Sequence, residues 1–412
     1  MKEEYRDIHD FEKRMASIEK TISAEENILD SNKKHIQKFI DYCHAKGQKL
    51  STIHKDLYSL WFIAKNLDKD FMDCTKEDIT KVLGVIQKQK WSDKTKRNHK
   101  VAVKKLWRII FDMEKKGVYP PAVDWFETTI TQQEKKLPDE ILTEDDLLKL
   151  LNSCECDRDK AFIYLAYETG ARIGELLNIK IKNIKFENER AYVMLTGKTG
   201  MRRIPIHASI PSLRDYLNNH VLRDDPDSSL FLMRRTIGKD YTRIPLSYNG
   251  ARKLIRDIAK LAKVKKAVNP HAFRHACATR LFKLGVPEPQ VRIYMGWTDA
   301  SRMTAIYAHL SCRDLESIID KTYGIKPKEE EKTKIGPKTC KRCNVVNEAT
   351  SNFCKICGSP LDLKVALEME EKLDQAREID SKLSDDMYSQ LKDLEKKFDK
   401  FFKEQGKKVR NS

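Results

Sequence analysis

His271 and Arg274 stand three residues apart just after Pro270. Proline suits the first turn of a helix, and an i, i+3 spacing puts two side chains on one face. The pair therefore projects from a helix N-terminus, where anions are favoured. The same stretch, Asn269 to Leu310, runs on to a stop at Gly285, restarts at Pro287 into a short helix ending near Met295, and delivers Tyr307 on a third. A basic pair at a helix N-terminus, with a tyrosine brought from a nearby segment, is able to hold a phosphodiester and attack it. His271 and His275, at i, i+4, would also suit a metal, but no glutamate lies between them and Arg274 would set a fixed positive charge beside the ion.

A second element lies upstream, ETGARIGELLNIKIKNI from Glu168 to Ile184, followed by the hairpin sequence AYVMLTGKTGMRRIPIH. With it the chain resembles the tyrosine recombinase (phage integrase) family over about Pro138 to Tyr323. That family carries an arginine in an A-R-x-x-E helix start, a lysine in a hairpin turn, H-x-x-R, a histidine or tryptophan after a glycine, and a nucleophilic tyrosine. By position the resemblance implies Arg172 with Glu175 as its companion, Lys198 in the turn, His271 and Arg274, Trp297 after Gly296, and Tyr307 as the nucleophile. The sequence departs from the bacterial pattern at Trp297, where many members have histidine, and in an interval to Tyr307 one residue longer, as in archaeal members. The tryptophan indole N–H still donates to an oxygen. Tyr294 is the other nearby tyrosine, but it precedes the glycine.

The resemblance implies a chemistry that explains these residue types. Attack on a DNA phosphate builds charge on the non-bridging oxygens, which two guanidiniums, Arg172 and Arg274, bind in a fixed fork. A tyrosine of ordinary pKa about 10 must lose its proton while the departing 5′-oxygen gains one. His271 suits the first task or an orienting role, and Lys198 the second. No cofactor is expected for the chemistry. Double-stranded DNA is the expected partner, with a homo-oligomer on it, a tetramer in the recombining complex. The expected activity is site-specific recombination, the DNA integration or excision of an archaeal or viral mobile element. The alternatives are DNA relaxation in the manner of a type IB topoisomerase and a catalytically silent sequence-specific DNA-binding protein.

Composition agrees with a nucleic-acid partner: the 412 residues carry a formal charge of +17. No apolar run reaches transmembrane length and the start of the chain is charged throughout, so the expected place is cytoplasmic and nucleoid-associated, with no membrane partner. The expected fold class is mainly α with a small β-sheet in the catalytic domain. The expected domains are an N-terminal helix at 1–23, an all-helical core-binding domain at 24–117, a linker at 118–137, the catalytic domain at 138–325, a linker and zinc ribbon at 326–362, and a long helix at 363–406. Ile8, Phe11, Met15, Ile18 and Ile22 form an a/d stripe on the first helix. Ser51, Thr75, Ser92 and Thr143 read as helix caps. Lys94, Lys96, Arg97, Lys100, Lys104 and Lys105 crowd one helix as a candidate phosphate-contacting face.

Cys340 and Cys343, then Cys354 and Cys357 followed by glycine, form paired C-x-x-C knuckles. Four thiolates close a tetrahedral site with no open position, so one structural zinc is expected there. Cys154 and Cys156 have no partner pair and read as reduced thiols. Beyond Pro360, Ile379 and Leu383 precede a stripe of Met387, Leu391, Leu394, Phe398 and Phe401 stepping by four and three. Such a helix must bury its stripe, against another protomer or the N-terminal helix, or stay a solvated tail.

Overall fold

A computed structural model of the chain describes residues 6–113, 115, 117–129, 141–187, 190–197, 200–234, 243–298, 301, 304 and 333–408. The chain divides into two units at Pro138 and Asp139. In the first, helices α1 (Phe11–Ala24), α2 (Asp30–Ala45), α3 (Leu50–Ala64), α4 (Lys76–Lys88) and α5 (Asp93–Ile110) enclose a core in which Phe39, Leu57, Phe71 and Trp107 are fully buried. The α1 stripe, Met15, Ile18 and Ile22, belongs to this core. Thr75 and Asp78 close a capping box on α4, and Ser92 accepts from the Thr95 amide on α5, each satisfying an N–H that a helix end leaves open. Ser51 is not a cap: α3 begins at Leu50, which packs against the core, and Lys49 takes the cap position.

Two further expectations are corrected here. The stretch from 118 is not wholly a linker, because Pro121 opens the turn α6 (Pro121–Asp124) and Val123 and Phe126, three residues apart, enter the core. Residues 130–140 lie outside the described residues. The six basic residues of α5 do not share one open face. Lys105 stands three residues after Ala102 and four before Ile109, both buried, and its ammonium lies 2.6 Å from the nearly buried Asp56 carboxylate. Lys104 sits 4.6 Å from the Tyr119 ring centre and 4.8 Å from that of Phe126. Arg97 donates to the Thr128 carbonyl, Lys94 is exposed, and Lys96 and Lys100 are half-buried.

The second unit is built on α8 (Asp157–Thr169), buried on all sides from Ala161 to Thr169, as a helix enclosed by its neighbours must be. It packs against α7 (Glu144–Asn152), α10 (Ile210–Asn218) and α12 (Pro270–Lys283), and α7 starts from a Thr143–Asp146 capping box. The Glu168 carboxylate near the end of α8 accepts from the backbone amides of His207, Ala208 and Ser209 and from the Ser209 hydroxyl. It thereby neutralises the entry to α10, where amides otherwise go unpaired. Strands β1 (Ile184–Glu187), β2 (Arg190–Gly197) and β3 (Gly200–Ile206) form an antiparallel sheet in that order. Ala191, Val193 and Leu195 of β2 and Ile204 and Ile206 of β3 face inward with the period of two a half-buried strand requires. Helices α11 (Tyr248–Leu261) and α13 (Glu288–Met295), the two-stranded β4 (Lys338–Thr339) and β5 (Val346–Asn347), and the long α14 (Leu363–Lys408) complete the unit. Among the described residues no helix is long and apolar enough to cross a membrane.

Gly170 ends α8 in the left-handed region, at φ 56°. A Cβ there would lie 2.8 Å from the Cys277 Cβ and 3.0 Å from the Met295 Cε, so backbone and packing both demand glycine. Gly170→Ala is expected to lower unfolding stability by about 1–3 kcal/mol, read from the urea midpoint at constant m-value; an unchanged midpoint would contradict the assigned turn.

Candidate active site

Arg172 is the N-cap of α9 (Ile173–Leu177), the short helix after the Gly170 turn. Glu175 reaches back to it: one carboxylate oxygen accepts from the Arg172 amide at 2.9 Å, the other from its guanidinium at 2.8 Å. From β3 the Arg202 guanidinium donates to both oxygens, at 3.1 and 2.7 Å. Glu175 is 1% exposed, and a buried carboxylate is tolerated only when paired. Burial pushes its carboxyl up, but the bonds and charges of Arg202 and Arg172 outweigh burial and hold it below its ordinary value.

Arg202 was not singled out from the sequence. The signal was available, because it shares the inward register of β3 with Ile204 and Ile206, and an arginine on a buried strand face needs a buried partner.

Asn269 caps α12 by accepting from the Ala272 amide, Pro270 takes the first turn, and Arg274 follows one turn inside, 7% exposed. The Arg274 guanidinium donates to the carbonyls of Gly170 and Met295. Arg172 donates to Gly296 O at 3.0 Å and Arg202 to Tyr294 O at 2.9 Å. Three guanidiniums from α9, β3 and α12 are thus fixed on three successive carbonyls at the C-terminal end of α13, where open carbonyls and the helix dipole favour cations. Gly296 makes this approach possible: it adopts φ 60°, and a Cβ there would lie 2.7 Å from an Arg202 nitrogen. Burial, then the neighbouring charge of Arg172, pulls the Arg274 pKa down to about 10, which leaves it charged at neutral pH. Two cations, Arg172 and Arg202, and the Glu175 carboxylate act on it, so positive charge exceeds negative in a partly dry site. Such a site binds an oxyanion.

Trp297 is buried, its ring centre 5.8 Å from the Arg274 guanidinium carbon, against Cys277, Leu281 and Met295. His271 is exposed at the start of α12. The Tyr294 hydroxyl donates to Glu168 O at 3.1 Å, and burial holds its pKa well above the ordinary value, which suits a structural phenol rather than a nucleophile. Lys198 and Tyr307 lie outside the described residues. Gly197 and Gly200 beside the first, and Thr304 before the second, are described. Gly197 pairs with Gly200 across the hairpin, and a Cβ on Gly197 would lie 2.3 Å from a Glu175 oxygen, so Gly197 lies against the arginine cluster. Thr304, three residues before Tyr307, accepts a 3.0 Å bond from Arg292 of α13.

The sulfurs of Cys340, Cys343, Cys354 and Cys357 all lie within 4.8 Å of one another, and could hold a metal ion. Cys340–Cys357 and Cys343–Cys354 are each 3.5 Å apart, too long for disulfides and close to the roughly 3.8 Å edge of a tetrahedron with 2.3 Å metal–sulfur bonds. Each knuckle turns through a left-handed residue, Asn344 at φ 58° and Gly358 at φ 69°. The ribbon is docked on its own unit: Glu348 pairs with Lys160 of α8 at 2.9 Å, Lys355 with Asp215 of α10 at 2.6 Å, and Ile335 O accepts from Tyr164. Cys154 and Cys156 are free thiols.

Residues 140–313 match the phage integrase family profile. The chain is 27% identical over 289 residues to tyrosine recombinase XerA of Pyrococcus horikoshii, an alignment covering 69% of this chain and 92% of that protein. It is 32% identical over 188 residues to tyrosine recombinase XerD of Staphylococcus aureus, covering 43% of this chain and 60% of the relative. Among solved structures, XerH site-specific recombinase bound to its palindromic difH substrate in a post-cleavage complex aligns with a TM-score of 0.54 at 20% identity, over 78% of this chain and 98% of that one. A lambda integrase dimer bound to a COC′ core site aligns at 0.51 and 16% identity, over 66% and 94%. The likeness to these structures is one of fold. The chain therefore carries a phage integrase family domain at residues 140–313, and the relatives it resembles there are tyrosine recombinases.

Proposed function

We propose that the chain is a site-specific DNA recombinase that cleaves and rejoins strands through a 3′-phosphotyrosyl intermediate. The observation that carries this reading is the convergence of Arg172, Arg202 and Arg274 on the carbonyls of Tyr294, Met295 and Gly296, with positive charge in excess. Arg172 and Arg274 would hold the non-bridging oxygens of the scissile phosphate, and Arg202, through Glu175, would fix the plane of Arg172. The Tyr307 oxygen attacks phosphorus, its proton passing toward His271, and the 5′-oxygen leaves with a proton from Lys198. A 5′-hydroxyl of another strand then reverses the step and exchanges partners. Trp297 packs behind Arg274.

The relatives' recorded complexes support duplex DNA as partner, and the lambda integrase tetramer bound to a Holliday junction supports a four-protomer recombining complex. Integration or excision of an archaeal or viral mobile element is the role we assign, in association with the nucleoid. The four-cysteine ribbon would hold one structural zinc, because four thiolates fit that ion and leave no open position for chemistry. We assign residues 24–117 to core binding and 363–406 to an added helical element, with Lys94, Lys96 and Lys100 rather than Lys105 as the phosphate contacts.

Tyr307→Phe is expected to abolish the covalent protein–DNA adduct on denaturing gels while leaving duplex affinity within about twofold; an adduct that persists would move the nucleophile. Lys198→Ala is expected to slow cleavage by about 10²-fold or more on an ordinary duplex and far less when the leaving oxygen is replaced by sulfur, which needs no proton. Equal slowing on both substrates would remove Lys198 as the acid. Chelation is expected to release one zinc per chain, measured by metal analysis, and to expose amides of residues 338–361 to hydrogen exchange; full protection after metal removal would refute a structural metal.

A further inference from the structure

The long helix α14 carries an apolar stripe that nothing described in its own chain covers. It runs from Val365 through Leu373, Ile379, Leu383 and Met387 to Phe401 with a mean step of about 3.6 residues, so it stays on one face of a straight helix. Leu373, Ile379, Leu383, Met387, Leu391 and Leu394 are each between 46% and 65% exposed. A contiguous apolar band of this length, rimmed by charges, marks an interaction surface. The α1 stripe, Met15, Ile18 and Ile22, is taken up within the core of the first unit.

The charge pattern identifies what covers the band. Residues 363–386 carry eight carboxylates and four cations, a net −4, whereas residues 387–408 carry seven cations and four carboxylates, a net +3. The helix dipole acts only on the terminal turns. It does not account for an acidic excess that extends through Asp386, about six turns in. A second copy laid parallel would set like halves side by side. A second copy laid antiparallel sets the acidic half of each helix against the basic half of the other, and the apolar bands face each other across a two-fold axis near Leu383. A band about 54 Å long on a helix 10–12 Å wide is of the order of the ~800 Å² per partner that stable pairs bury.

We infer that α14 is an antiparallel homodimerisation helix that pairs two copies of this chain before either meets DNA. The inference does not rest on the catalytic reading, since α14 contributes none of the site residues.

Light scattering on the full metal-loaded chain without DNA, together with photo-crosslinking, tests it. A dimer is expected whose dissociation constant rises about tenfold between ~0.1 and ~1 M salt, because the flanking charges are screened. Leu383→Asp is expected to return it to monomer. With benzoylphenylalanine at position 383, cross-links are expected to residues near 383 of the other copy; at position 367, they are expected to fall in residues 387–408 and not near 367. Cross-links from 367 to 367 would establish a parallel pair and overturn the orientation. A monomer at tens of micromolar, or a dimer that forms only when duplex is added, would overturn the pairing itself.

Discussion

The arginine cluster depends on where the carbonyls of α13 point. A helix C-terminus leaves its last carbonyls without partners, and here three successive ones, at Tyr294, Met295 and Gly296, are taken by three guanidiniums from distant parts of the chain. The energetic problem is like-charge repulsion in a poorly solvated space. It is relieved from two sides, by the carbonyl dipoles in front and by the Glu175 carboxylate behind. What remains is an excess of fixed positive charge that an anion completes. Preorganised donors of this kind require little rearrangement when charge develops on a phosphate.

Glycines set the distances in this arrangement. Gly170 lets Arg274 reach the end of α8, Gly296 lets Arg202 pass beneath the turn, and Gly197 lets the hairpin close over Glu175. Each position brings backbone within reach of a charged side chain, so the cluster tolerates little added volume at these points. The Glu168 carboxylate anchors the other side, tying the end of α8 to the entry of α10 while its backbone carbonyl holds Tyr294, Cys277 and Arg280.

Much of this was legible in the sequence, for identifiable reasons. The family resemblance pointed to Arg172, Glu175 and Trp297, whereas His271 and Arg274 were also readable from the helix start at Pro270. Thr75, Ser92 and Thr143 were readable as caps because Asp or Thr follows three residues later. Arg202 was missed since a strand arginine reveals its role only once the inward register is known. Lys105 was misplaced because a lysine on the rim of a packed helix face is drawn inward by a buried acid, Asp56, that lies 49 residues away in sequence. Val123 and Phe126 were lost in a proline-rich stretch that looked like pure linker. Tyr307 and Lys198 lie outside the described residues.

The docking of the cysteine ribbon would couple any metal ion held by its four sulfurs to helices α8 and α10. Glu348 and Lys355 lie within or beside the two knuckles and pair with Lys160 on α8 and Asp215 on α10. Tyr164, on the face of α8 one turn from Glu168, bonds to the chain just before the ribbon. An ion bound only by the folded ribbon adds about 1.4 kcal/mol for each tenfold rise in its free concentration above the dissociation constant. Part of that free energy would pass through these contacts into the helix that carries the chain to Arg172. A metal ion held there would thereby bear on the stability of the arginine cluster, although none of its ligands belongs to that cluster.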